Sequence, residues 1–162
     1  GNSDAKFVEY LVENYFKDSF KAVVIPVSGK ASMISSARII VSSLISSGTA
    51  HVFILFDTDN EYSTRYTEYI METLEKVEMK DEASIITIHP FLETWILSGY
   101  IEDASEIQSM DMKSQLQLLK SYGFDKKPYE LSNKKLDFEK IKKGNPIFLE
   151  FVKEIEGKIE PK

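Results

Sequence analysis

The sequence predicts an α/β domain with a small parallel sheet flanked by helices, followed by a helical C-terminal extension. Three observations lead to this fold class: strand-like and helix-like segments alternate up to His89, residues 52–56 form a continuous apolar run, and only helical spacing follows Phe91. Strands that alternate with helices need crossover connections, which produce parallel pairing. We therefore expect an α/β core over residues 1–100 and the helical extension over residues 101–162.

The spacing of apolar residues predicts the core elements, because apolar residues recur every three or four positions along one face of a helix. The apolar run at 52–56 is typical of a central strand that is covered on both faces. The predicted elements are a helix over 4–16, a strand over 22–27, a helix over 31–47, a strand over 51–56, a helix over 61–77 and a strand over 84–88.

The extension shows helical patterns of different lengths. A short helix is expected over 91–97 and another over 110–122. Asn145 followed by Pro146 predicts the start of a last helix, because Asn is a favoured N-cap and Pro is favoured at the first helical position.

Composition limits the possible chemistry. The chain has 162 residues, no cysteine and two histidines, so thiol catalysis, disulfides and Cys-ligated zinc are excluded. Any metal must be held by oxygen atoms. With 43% hydrophobic residues and no apolar run long enough to span a bilayer, we expect a cytoplasmic protein with no membrane partner.

The net charge of −6 argues against a purely electrostatic grip on nucleic acid, which depends on clustered Lys and Arg. It does not exclude nucleic acid, because metal ions can bridge acidic residues to phosphates. The lysines of the last quarter form either a solvated surface or a phosphate-facing patch. They are Lys126, Lys127, Lys134, Lys135, Lys140, Lys142 and Lys143.

Asp57 and Asp59 are the sharpest chemical signal, since they follow the apolar strand and lie two residues apart. In open parallel sheets, sites form beyond the carboxyl ends of the strands. Paired carboxylates there suit Mg²⁺, which takes few protein carboxylates and accepts phosphate oxygens as further ligands. The alternative is that both acids cap the helix expected to begin near Glu61.

Glu93 and Asp4 are further candidates at the same edge. Glu93 lies among aromatic and aliphatic residues, where a buried acid needs a partner such as a metal or a lysine. Asp4 lies at the start of the first helix and would be a third or fourth ligand. For both, the alternative is an acid in the first helical turn that is stabilised by the helix dipole.

Lys30 follows Ser28 and Gly29 at the start of the second helix. This position would allow the lysine side chain and nearby backbone amides to contact a phosphate. A solvated turn lysine is the alternative interpretation.

Three short motifs, at Gly1-Asn2-Ser3-Asp4, Asp57-Thr58-Asp59 and residues 90–97, together resemble Toprim domains. These domains form the catalytic module of type IA and type II topoisomerases, bacterial primases and the overcoming-lysogenization-defect (OLD) nucleases. Gly1-Asn2-Ser3-Asp4 resembles the end of their Glu-Gly-x-x-Asp motif. The Asp-x-Asp motif at Asp57 is similar to theirs, and residues 90–97 resemble a Pro-x-x-Glu-x-Trp-Leu-Leu signature of Toprim-like phage-defence proteins.

The resemblance implies a Toprim-type, Rossmann-like sheet and nuclease chemistry that depends on Mg²⁺ or Mn²⁺. By this resemblance Asp57 and Asp59 bind metal, Asp4 is a further ligand, DNA or RNA is the substrate, and an ATPase domain or subunit is a possible partner. The family glutamate, the general acid or base, would stand immediately before Gly1. Either the chain is a piece of a longer polypeptide, or Glu93 substitutes for that residue, or the domain is inactive.

Two rival functions remain open. A non-catalytic Toprim-like module would retain the acids as helix caps and serve protein contacts in a larger assembly. A flavodoxin-like or receiver domain would also carry acids at strand ends.

Overall fold

The computed structural model describes residues 2–17, 19–59, 64–124 and 136–159. Within these ranges the chain has eight α-helices and one parallel sheet of two strands, which confirms the mixed α/β class. The elements are α1 (Asn2–Asn14), α2 (Lys30–Ser46), β1 (Val52–Asp57), α3 (Arg65–Glu75), β2 (Ala83–Ile88), α4 (Leu92–Ser98), α5 (Ala104–Gln108), α6 (Met112–Ser121), α7 (Phe138–Gly144) and α8 (Pro146–Lys158).

These elements belong to two compact units. Val27–Pro90 forms one, which we call the sheet unit. Gly1–Pro26 and Phe91–Lys162 together form the other, the helical unit. The division into a core over residues 1–100 and an extension over residues 101–162 stays a prediction.

The sheet unit is a strand, helix, strand arrangement with α2 packed on it. β1 and β2 run parallel, with Val52 opposite Ala83 and Asp57 opposite Ile88. Alternate residues of β1 are buried because successive side chains of a strand point to opposite faces. The buried core of the unit consists of Ala37, Val41, Val52, Ile54, Phe56, Ile70, Leu74 and Ala83.

The strand predicted over 22–27 is wrong. This segment has no regular secondary structure, and the side chains of Val23 and Ile25 are 77% and 46% exposed. β-branched residues favour a strand only when a neighbouring strand supplies partners, and here none of the described strands pairs with the segment. The expectation that β1 is central is wrong for the same reason, since its one neighbour in the described sheet is β2.

The helical unit is organised around α4, in which every residue from Leu92 to Ser98 is buried. Trp95 is fully buried against two rings of α8, with its centroid 5.1 Å from that of Phe148 and 5.6 Å from that of Phe151. α4 also contacts α5, α6 and α7. The position of α4 therefore depends on apolar contacts along its whole length.

The start of α8 is confirmed at the predicted residues. Asn145 accepts a hydrogen bond from the backbone N–H of Phe148 at 3.0 Å, and Pro146 occupies the first helical position. α5 and α7 were not predicted, because helices of five and seven residues show too little periodicity. Among the helices that the structure describes, none combines the length and apolar character that a membrane span requires.

Candidate metal centre

Asp4 and Glu93 lie close together in the helical unit. Each occupies the first turn of its helix, α1 for Asp4 and α4 for Glu93. Their carboxylate oxygens lie within 4.8 Å of each other. Asp4 is half-buried, and Glu93 is only 7% exposed. Two carboxylates that are distant in sequence therefore converge at a site largely removed from water.

The start of α4 determines where Glu93 lies. Phe91 precedes the helix in an extended conformation and supplies no side-chain cap, while its backbone oxygen accepts from the N–H of Thr94 at 3.1 Å. Phe91 and Leu92 are both buried. The burial of its first residues therefore holds the start of the helix in place. In the sequence, Glu93 follows the buried Phe91 and Leu92 and precedes the buried Thr94.

Asp57 and Asp59 belong to the sheet unit, on either side of the buried Thr58. The backbone N–H of Thr58 donates to Ile88 at 2.9 Å, and that of Asp59 donates to Pro90 at 2.8 Å. The Thr58 hydroxyl also forms a hydrogen bond with Nδ1 of His89. The backbone that carries the Asp-x-Asp motif is therefore tied to the end of β2.

Asp59 forms an ion pair with Lys30 in the same unit. Its Oδ2 lies 3.0 Å from the lysine Nζ, which also lies 5.7 Å from the ring centroid of Tyr66. The side chain of Asp59 is 57% exposed, so solvent screens the pair. Asp59, a predicted metal ligand, is therefore paired with Lys30, a predicted phosphate contact.

Ser28 and Gly29 are exposed just ahead of α2. Gly29 is the N-cap residue, with φ of 78°, a left-handed value that favours glycine. It supplies no side-chain cap, and its carbonyl accepts from the N–H of Met33 at 3.1 Å. A phosphate contact at Ser28, Gly29 and Lys30 stays a prediction.

Two of the three described lysines of the last quarter have partners within the chain. Lys140 lies 3.6 Å from Glu102, and Lys142 donates to the Tyr15 hydroxyl at 2.9 Å. These contacts favour the interpretation as a solvated surface. Four of the seven lie outside the described residues, namely Lys126, Lys127, Lys134 and Lys135.

The donor atoms fit a hard divalent cation. Asp4 and Glu93 offer carboxylate oxygens, which Mg²⁺ and Mn²⁺ prefer, and the sequence has no cysteine that would favour a softer metal. A small number of protein carboxylates matches the way Mg²⁺ is usually bound, since it takes water or phosphate oxygens as its remaining ligands.

Sequence reasoning missed two buried polar residues beside Glu93. Thr94 is 7% exposed and donates through its hydroxyl to Oε1 of Gln115 at 2.6 Å, and Gln115 is 2% exposed. The available signal was the position of Gln115 four residues before Leu119, on the apolar stripe of α6. A polar residue on such a stripe indicates a buried partner.

No protein-family model, curated protein or solved structure matches the chain. The resemblance to Toprim domains therefore rests on the motifs of this sequence alone. The structural observations that bear on function are the positions of the acidic residues within each unit.

Proposed function

We propose that this chain is a Toprim-like domain that binds Mg²⁺ or Mn²⁺ and acts on phosphodiester bonds of DNA or RNA, as part of a larger defence-related protein. Asp4 and Glu93 are the ligands in the helical unit, and Asp57 and Asp59 are the further ligands expected from the Asp-x-Asp motif. The observation that carries the proposal is the approach of the Asp4 and Glu93 carboxylate oxygens to within 4.8 Å, with Glu93 buried.

Charge explains why a cation suits this position. Two negative charges at this separation repel each other, and the repulsion grows as burial lowers the local dielectric constant. A divalent cation between the oxygens replaces that repulsion with two attractive contacts. Because Mg²⁺ usually keeps coordination positions that the protein does not fill, phosphate oxygens would complete its shell.

The acidic chain is compatible with a nucleic-acid substrate through such a centre. A net charge of −6 gives little attraction for phosphates by itself, so affinity must come from local groups. The chemistry that a divalent cation supplies in such sites is polarisation of phosphoryl oxygens and activation of water. We also assign to Glu93 the proton transfer that the resemblance implies for the family glutamate.

The first experiment measures Mn²⁺ binding by calorimetry and thermal unfolding. Saturation at about 100 times the dissociation constant adds about 2.7 kcal/mol. For a chain of this size that corresponds to a rise in melting temperature of roughly 5–10 °C. Asp4→Asn, Asp57→Asn and Glu93→Gln should each abolish most of the rise. The matched controls Glu13→Gln and Asp81→Asn change exposed acids and should retain it.

The second experiment measures cleavage of labelled DNA and RNA with the same variants. Loss of cleavage in Glu93→Gln at a Mn²⁺ concentration at which calorimetry shows the variant to be fully occupied would indicate the proton-transfer role beyond metal binding. A wild-type chain whose melting temperature does not respond to Mn²⁺ or Mg²⁺ would reject the metal centre. Retention of the response in Asp57→Asn alone would remove Asp57 from the ligand set.

The second candidate function is a non-catalytic Toprim-like module for protein contacts. The observation that favours it is the ion pair between Lys30 and Asp59, which engages one of the two acids of the motif within the chain. This candidate predicts no cleavage of any nucleic acid. Cleavage that depends on Mn²⁺ and on Asp4 would exclude it.

A further inference from the structure

A buried hydrogen-bonded pair links α4 to α6 directly after Glu93. The Thr94 hydroxyl donates to Oε1 of Gln115 at 2.6 Å, and both side chains are almost completely buried. The Gln115 amide donates to the backbone oxygen of Met110 at 3.2 Å. The backbone oxygen of Thr94 accepts from the Ser98 hydroxyl at 2.8 Å. The pair therefore has defined partners at both ends.

We propose that Thr94 and Gln115 are positioning residues that aim the Glu93 carboxylate at the metal. The inference rests on the proposed function, because it concerns the same centre. Their hydrogen bond fixes the rotation of α4 about its own axis. Neither residue touches the metal or the substrate in this role, since both act through the helix that carries Glu93.

Apolar packing alone restricts the rotation of α4 less sharply than a hydrogen bond does. The contacts of Trp95 with Phe148 and Phe151 bury α4 firmly, but dispersion and hydrophobic burial have little directional preference. A hydrogen bond weakens steeply when its angle departs from linearity. Since Thr94 is the next residue after Glu93, restricting its side chain also restricts the rotation of Glu93.

The required precision can be estimated from helix geometry. A side-chain tip lies about 6 Å from the helix axis, so a rotation of about 10° moves it by about 1 Å. Metal-ligand distances tolerate about 0.2 Å. A rotation too small to disturb the apolar packing would therefore be enough to misplace a ligand oxygen.

The test compares Mn²⁺ affinity, measured by the electron paramagnetic resonance signal of free Mn²⁺, with the melting temperature of each variant. Thr94→Val keeps the shape but removes the hydroxyl, and it should weaken Mn²⁺ binding about 10- to 100-fold, as loss of outer-shell partners does. Thr94→Ser keeps the hydroxyl and should stay within about 2-fold of wild type.

The matched control is Ser98→Ala, which removes another buried hydroxyl of α4 but keeps the bond to Gln115. It should lower the melting temperature without changing Mn²⁺ affinity. If Thr94→Val fails to fold, the double variant Thr94→Val with Gln115→Met replaces both buried partners with apolar groups. Its Mn²⁺ affinity and melting temperature are then compared with those of Ser98→Ala in the same way.

The results separate this inference from the proposed function. A lower melting temperature with unchanged Mn²⁺ affinity in Thr94→Val, or in the double variant, would show a purely structural role and overturn the positioning role alone. A wild-type chain that binds no Mn²⁺ would overturn the proposed function, and the positioning role with it. A loss of affinity in Ser98→Ala equal to that in Thr94→Val would also overturn the specific role of Thr94.

Discussion

The helices of the two units begin in different ways. In the helical unit, α5, α6, α7 and α8 each begin at an Asp or Asn whose side chain accepts a backbone N–H. In the sheet unit, α2 begins at Gly29 and α3 at Thr64, and neither residue supplies a side-chain cap. Within the helical unit α4 resembles α2 and α3, because Phe91 supplies no cap.

The difference separates helix starts that a side-chain cap stabilises from starts that need other contacts. A side-chain cap satisfies backbone N–H groups that the helix leaves without partners. The uncapped starts of α2 and α4 carry Lys30 and Glu93, two residues that the sequence indicates as functional. Uncapped helices must be held by other contacts, which in α4 are apolar packing and the hydrogen bond between Thr94 and Gln115.

The largest effect is expected from removing the apolar contacts of the uncapped α4. Trp95→Ala should lower the free energy of unfolding by about 3–5 kcal/mol, because it deletes a fully buried ring and leaves a cavity. Urea denaturation followed by circular dichroism measures this loss. The control Ile39→Ala changes a side chain of α2 that is 62% exposed, and should cost at most about 0.5 kcal/mol. Equal losses would contradict the role of packing in α4.

A smaller effect is expected from removing a cap. Asn145→Ala should lower the free energy of unfolding by about 1 kcal/mol, because the N–H of Phe148 loses its acceptor. The matched variant Thr64→Ala lies at the start of α3, where the side chain makes no cap, and should cost a few tenths of that. If denaturation gave the same loss for both, the distinction between the two kinds of helix start would fail.

The ion pair of the sheet unit is expected to contribute less. A double-mutant cycle with Lys30→Met and Asp59→Asn should give a coupling of roughly 0.2–1 kcal/mol, because the pair is partly exposed. Raising the salt concentration from low to about 1 M should reduce the coupling through screening. A coupling that does not depend on salt would show that the pair is more enclosed than its exposure indicates.

The smallest effect at neutral pH is expected at Tyr100, just after α4. Burial, with a smaller contribution from Tyr10, raises the pKa of Tyr100 from 10.0 to about 12. The folded state therefore holds this proton more tightly than the unfolded state. Its contribution to stability is complete below pH 10 and is lost as the pH rises towards 12.

Tyr100→Phe tests this directly. The Tyr100 hydroxyl is buried and has no hydrogen-bond partner among the described residues, so its removal at pH 7 should leave stability unchanged or slightly raised. Phenolate absorbance during an alkaline titration should lose a component near pH 12 in the variant. A substantial loss of stability at pH 7 would indicate a partner for the hydroxyl in solution.

Most helices could be predicted from the sequence, because their apolar residues recur with helical spacing. The segment over 22–27 could not, since β propensity does not reveal whether a strand has a neighbour. α5 and α7 are short, but Asp103 and Asp137 were usable signals because Asp is a strong N-cap.

The sequence predicted the residues of the candidate site but not the contacts between them. Asp4 and Glu93 were recognised as acids at helix starts, whereas their separation of less than 4.8 Å depends on how α1 and α4 pack in the helical unit. The ion pair of Lys30 with Asp59 was not foreseen, because each residue was considered as facing a ligand. The pair of Thr94 with Gln115 requires the packing of α4 on α6, which spacing alone does not give.

The helical unit is assembled from two stretches of chain with the sheet unit between them. Tyr15 of the first stretch meets Phe138 and Lys142 of the second, and the last of these contacts joins residues 127 positions apart. During synthesis on the ribosome α1 emerges before the sheet unit but cannot dock against α7 until α7 has left the exit tunnel. The contacts of the sheet unit join residues that are closer in sequence and can form in the meantime, so α1 docks after elements that are made later than itself.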